Sequence, residues 1–173
     1  MKYILYITMF TVLTFAQTPK NDTAKFVTKA ITVDGQVLDK TVFDMEKIML
    51  LPQFNSKKQS VVCMSGDIKS HPMIYTGVLL KDLLDAAKIR IDSKKDMNKL
   101  YIIIQASDGY KALFSYHEIY NTPNGENVVV YYKKDGQPLG SEEGDFALIS
   151  LTDNKNGGRH VKWVEKIIVK SDH

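Results

Sequence analysis

Two short segments of the 173-residue chain carry residue types that could do chemistry. The first is Cys63-Met64-Ser65-Gly66-Asp67, which follows the apolar pair Val61-Val62. A strand that delivers a thiol and then breaks at Ser-Gly can set the sulfur at the rim of a pocket. A thiolate there would ligate a soft metal or act as a nucleophile. The plain alternative is a buried structural cysteine, packed as a small hydrophobe. The second segment is NGGRHVKW at 156–163. Gly157 and Gly158 let backbone approach a ligand closely. Arg159 offers a planar fork for phosphate and Lys162 a point charge, which together would make an anion site. A solvated hairpin turn with ordinary surface charges is the alternative. Trp163 reads as core.

Other signatures are missing. There is no glycine-rich phosphate loop, HExxH or CxxC. The histidines His71, His117, His160 and His173 match no zinc spacing. A secreted Cys/His hydrolase would have to bring one of them to Cys63 in space, and no nucleophile motif marks such a site.

Cys63 is the one cysteine, so it cannot form an internal disulfide. The chain is 44% hydrophobic and 25% charged, which suits one globular domain and excludes collagen, low-complexity disorder and a disulfide scaffold. The net charge is +3, and the basic residues are scattered rather than gathered into a stripe. Nucleic-acid binding is therefore not expected.

Residues 1–16, MKYILYITMFTVLTFA, pair an early Lys2 with an apolar run and small residues before Gln17. They read as a secretory signal peptide. The run is short for the ~20 residues that span a bilayer. A periplasmic or secreted product follows, with no membrane span after cleavage. A lone thiol in an oxidising compartment is at risk unless it is buried or ligated. Residues 17–25 read as a flexible polar leader and 26–173 as a single domain.

The elements that must position these residues are mostly extended. Strands are predicted over 26–33, 59–64, 99–106, 110–114, 128–132, 146–151 and 161–169, with the extended pattern resuming at 37–38. Residues 44–51 read as a short helix with Asp44 at the N-cap, stopped by Pro52. Residues 79–89 place Leu79, Leu80, Leu83, Leu84 and Ala87 on one helical face. Ser115 and Glu118 fit a capping box. Residues 154–159 read as a polar loop. The fold class is α+β, mostly β, with short helices between strands.

In order, these segments resemble the molybdopterin-binding oxidoreductase domain, the sulfite oxidase fold. The resemblance runs from about residue 31 to 169. It rests on the helix followed by Pro52-Gln53, the strand-Cys-x-x-Gly of 61–66, GVLLKDLL at 77–84, DGY at 108–110, DGQPL at 135–139, Glu143-Gly144, and GRHVKW at 158–163. The closing Gly-Gly-Arg-x-Val also looks like small stand-alone exported members of the superfamily. By this resemblance Cys63 matches the thiolate that ligates molybdenum. Gly158, Arg159, His160 and Lys162 match the loop that holds the pterin and its phosphate. The implied cofactor is molybdenum-molybdopterin, and the implied partners are a small-molecule substrate and a redox protein.

The chain also departs from the family's larger enzymes. Their pterin-binding segment ahead of the first strand carries Arg or Asn and His; residues 17–30 here hold neither Arg nor His. Sulfite oxidases place a His-Gly and then an Arg before the last motif. Glu143-Gly144 and Leu148 stand there instead, so an acid and an apolar residue replace two cations. The substrate tyrosine and dimerisation domain of sulfite oxidases would lie beyond residue 173, so sulfite oxidation is not expected. Two readings follow: an exported molybdopterin-dependent oxidoreductase, or a binding module on the same fold that has lost the cofactor.

Overall fold

The structure is a computed structural model and describes residues 22–172. The signal-peptide expectation for 1–16 and the first part of the leader lie outside the described residues.

Strand β7 (Val128–Lys134) shows how the layers are arranged. Its first five residues, VVVYY, are all buried. Side chains alternate across a strand, so an unbroken apolar run requires cover on both faces. Val128, Val130 and Tyr132 enter the main core, while Val129 and Tyr131 enter a second cluster with Val61, Tyr75, Leu79, Ala147 and Ile149. The Cys63 segment lies over that second face.

β7 belongs to a five-stranded antiparallel sheet. It pairs with β4 (Tyr75–Leu79), β8 (Gln137–Pro138) and β9 (Ala147–Ser150), and β3 (Phe54–Asn55) pairs with β4. A second five-stranded sheet runs in the order β2 (Thr41–Asp44), β1 (Ala30–Gly35), β10 (Val164–Ser171), β5 (Leu100–Ala106), β6 (Lys111–Ser115). Its β1–β10 pair is parallel and its other pairs are antiparallel. Both sheets send side chains into the main core, as does α2 (Leu80–Ala87) through Leu80, Leu83, Leu84 and Ala87.

The predicted caps form. The Asp44 carboxylate accepts from the Lys47 N–H at the start of α1 (Met45–Met49), and the Ser115 hydroxyl accepts from the Glu118 N–H at the start of α3 (Tyr116–Tyr120). Glu118 does not return to Ser115, because Arg159 and Asn124 take its carboxylate. Several expectations change, among them the strand starts: β1 begins at Ala30 rather than 26 and β10 at Val164 rather than 161. Residues 59–64 make only isolated bridges, Gln59 to Met73 and Val62 to Ile68, so Cys63 lies in a clamped loop rather than a strand. Residues 37–38 hold only a bridge from Val37 to Ile89. Strands β2 and β4 lacked a clear alternating signal. The polar loop at 154–159 contains a short 3-10 turn over Asn156–Arg159. Ala24–Phe26 form another, and Phe26 packs 5.3 Å from the half-buried Trp163.

Candidate cofactor site

Cys63 and the 156–162 segment meet across a long stretch of chain, held by backbone contacts. The Gly157 N–H donates to the Val62 carbonyl at 2.8 Å, and a Cβ on Gly157 would lie 2.8 Å from that oxygen. The glycine is required here because backbone meets backbone. Asn156, fully buried, completes the clamp. Its Oδ1 accepts from the Val62 N–H at 2.8 Å and its Nδ2 donates to the Ser60 carbonyl at 2.9 Å. Gly158 lies beneath Met64, and its carbonyl accepts from the Tyr110 hydroxyl at 2.8 Å. The Cys63 N–H donates to the Asp67 carbonyl, which closes the turn that presents the half-buried thiol.

The clamp leaves a cavity of about 290 Å³. Cys63, Lys69, Ser70, Glu143, Gly157, His160 and Lys162 line it, with Val61. Four of the sequence-selected residues, Cys63, Gly157, His160 and Lys162, are thus brought together, and Gly158 follows Gly157 in the chain without lining the cavity. Arg159 is not among the lining residues. Its Nε donates to Asp153 Oδ2 at 2.7 Å, its Nη2 to Asp153 Oδ1 at 2.5 Å and its Nη1 to Glu118 Oε1 at 2.6 Å. The guanidinium carbon also sits 4.3 Å from the Phe114 ring centre. The fork read as a phosphate ligand is spent on two carboxylates and an aromatic face. Leu148, at the position where larger relatives carry a cation, is fully buried in the core.

A polar chain runs from the cavity into the second sheet. His160 Nε2 lies 2.6 Å from the Tyr131 hydroxyl, which donates to Glu143 Oε2 at 3.0 Å. Glu143 Oε1 accepts from Lys134 Nζ at 2.8 Å. Burial would push the Glu143 carboxyl up, but the Lys134 ammonium outweighs it and holds the group below its usual range. Burial lowers His160 from its ordinary 6.5 to about 4, aided by the charges of Lys162 and Lys134. Burial, reinforced by Glu143, raises Tyr131 well above a free phenol. At neutral pH the chain therefore reads ammonium, carboxylate, phenol, neutral imidazole.

Sequence reasoning did not select Lys69, Ser70, Tyr131 or Asn156. For Tyr131 a signal existed: a phenol inside a run buried on both faces must find a polar partner. Lys69 and Ser70 carried none, since they reach the cavity only through the turn after Cys63.

The fold has a solved counterpart. The crystal structure of the sulfane dehydrogenase SoxCD from Paracoccus pantotrophus superposes with a TM-score of 0.62 at 18% identity, over 88% of this chain. This chain spans 40% of the length of that one, and at such identity the likeness speaks to fold alone. No protein of curated function matches the sequence significantly. The family model for the oxidoreductase molybdopterin binding domain matches residues 16–173. By that match over nearly its whole length, this chain belongs to the molybdopterin-binding oxidoreductase family.

Proposed function

We propose that the protein is an exported molybdopterin-dependent oxidoreductase whose working site is the Cys63 cavity, acting by oxygen-atom or electron transfer on a small substrate. The observation that carries this reading is the shared cavity of Cys63, Lys69, Ser70 and Lys162. The donor set fits the cofactor. A thiolate suits a soft metal, and two ammonium groups with a hydroxyl suit an anionic phosphate. The volume sits near the lower end of the ~300–1,000 Å³ typical of small-molecule pockets. When bound, the cofactor supplies the two-electron chemistry. Cys63 would hold the metal end, and Lys69 and Lys162 would neutralise the phosphate end. The Asn156 clamp would keep the thiol presented.

The test is molybdenum analysis of the full chain purified from a host that makes the cofactor. Stoichiometric metal that disappears in Cys63→Ser is expected. Metal-free protein from that host would overturn the reading. Export is checked by fractionating cells that express the full chain, with the expectation that the protein leaves the cytoplasm. A redox partner protein belongs to the same proposal.

A second reading, a binding module without the cofactor, is favoured by one observation. Arg159 is committed to Asp153 and Glu118, while an acidic residue, Glu143, is among those that line the cavity. Ordered pterin in the cavity would end it. A thiol hydrolase is disfavoured, although His160 shares the cavity with Cys63. A histidine held neutral does not stabilise a thiolate by charge.

A further inference from the structure

The cavity offers two kinds of polar group. Lys69 and Lys162 are donors, while Glu143 and His160 lie among them. Which kind His160 is depends on its tautomer, and the hydrogen bonds behind it decide that. Tyr131 has one hydroxyl proton and two neighbours, Glu143 Oε2 and His160 Nε2. Glu143 is ionised and can only accept. Donation from Tyr131 to the imidazole would leave the phenol oxygen and the carboxylate facing each other with lone pairs alone. Donation to Glu143 satisfies every group, and then Nε2 must carry a proton and donate to Tyr131. Among the described residues Nδ1 has no hydrogen-bond partner, and no buried side-chain nitrogen or oxygen is left unpartnered. Nδ1 is therefore not fully enclosed, and His160 is a cavity-lining residue.

We propose that His160 sets the polarity of what this cavity accepts. The Lys134–Glu143–Tyr131 chain locks it as the neutral Nε2–H tautomer and turns a bare Nδ1 to the cavity. The group seated there is then a hydrogen-bond donor, an N–H or O–H, rather than an oxyanion. The proposal rests on the reading that the Cys63 cavity is the working site, but it does not require metal to be bound. The charged and titratable groups around His160 agree with it. Burial disfavours imidazolium most, Lys162 and Lys134 disfavour it further, and only Glu143 favours it. The cavity is then divided between Lys69 and Lys162 for an anionic group and the Nδ1 of His160, with Glu143 beside it, for a donor. Either the amino edge of a pterin or an N–H or O–H of the substrate could supply that donor.

The test uses the full chain, nitrogen-15 labelled and without added cofactor, with long-range proton–nitrogen correlations of the imidazole ring. His160 is expected to show a bare Nδ1 and a protonated Nε2 at neutral pH. Glu143→Gln should invert the tautomer. An amide at 143 can donate to the phenol oxygen, which frees the Tyr131 proton for Nε2 and moves the ring proton to Nδ1. Tyr131→Phe, which removes only the hydroxyl, should leave both tautomers populated. A wild-type ring that is charged, or protonated at Nδ1, would overturn the proposal, and so would a Glu143→Gln variant with an unchanged tautomer. Free pterin and methylguanidinium are the donor probes and sulfate is the anion probe. A shift of Nδ1 with pterin alone assigns the donor to the cofactor. A shift with methylguanidinium that persists in saturating pterin assigns it to the substrate. A shift with sulfate, or with neither donor, overturns the ligand assignment. Molybdenum content is measured separately, so failure of the cofactor reading is distinguishable from failure of this one.

Discussion

The buried carboxamide of Asn156 and the backbone N–H of Val62 meet at 2.8 Å, across 94 positions of sequence. This contact holds the Cys63 turn against the loop that carries His160 and Lys162. No ladder hydrogen bonds do that work, because residues 59–64 make only isolated bridges.

Asn156→Ala should therefore cost about 2–3 kcal/mol, since it strands a Val62 donor and a Ser60 acceptor with little access to water. Urea denaturation measures the loss. The thiol should at the same time react faster with an alkylating reagent. Unchanged alkylation would show that the turn holds without the clamp.

Arg159 is expected to act on stability rather than on the anion, because two carboxylates already hold its guanidinium. Its forked contact with Asp153 and its bond to Glu118 are partly exposed, so Arg159→Lys should destabilise by about 1 kcal/mol. Molybdenum per folded molecule should stay near the wild-type value. Loss of metal without loss of stability would show that the guanidinium leaves Asp153 to bind the phosphate.

Lys162→Ala should behave in the opposite way. Removing one charge-assisted contact weakens anion binding by about 1.5–3 kcal/mol, roughly a 10- to 150-fold loss. Stability should change by less than about 0.5 kcal/mol, as for most surface substitutions. Titration with inorganic phosphate, followed by the same unfolding experiment, separates the two effects. Lys69→Ala should show a similar but independent loss.

The depressed His160 makes stability depend on pH. Between its unfolded value of 6.5 and its folded value of about 4, the unfolded chain binds the proton that the native imidazole refuses. Stability therefore falls as pH drops through that window and levels off below it, by about 3 kcal/mol at most. Glu143, held ionised by Lys134, adds a loss of the same sign as pH falls through the carboxylate range. His160→Gln should flatten the upper part of the curve. Denaturant midpoints across this range read the effect, and a variant with the wild-type slope would place its source elsewhere.

Much of the frame was legible in the residues alone. The apolar run of 99–106 marked strand β5, the leucines of 80–84 marked the buried face of α2, and Asp44 and Ser115 announced their caps. These are local patterns, in which each residue's neighbours in sequence are also its neighbours in space. The joining of Cys63 with the 156–163 segment as two parts of one site was not a local pattern; it was implied by the resemblance to the family.

What the tertiary structure decided was the assignment of partners. Arg159 and Lys162 carry the same charge three positions apart, yet Asp153 and Glu118 claim one while the cavity keeps the other. Tyr131 reads as one more apolar residue in a strand until Glu143 and His160 are found on either side of its hydroxyl. Sequence determines which groups can donate, accept or ligate. Only the packing of the 59–70 turn against β7 and the 156–162 loop decides which of them are desolvated together, and desolvation is what turns those capacities into a defined tautomer, charge and site.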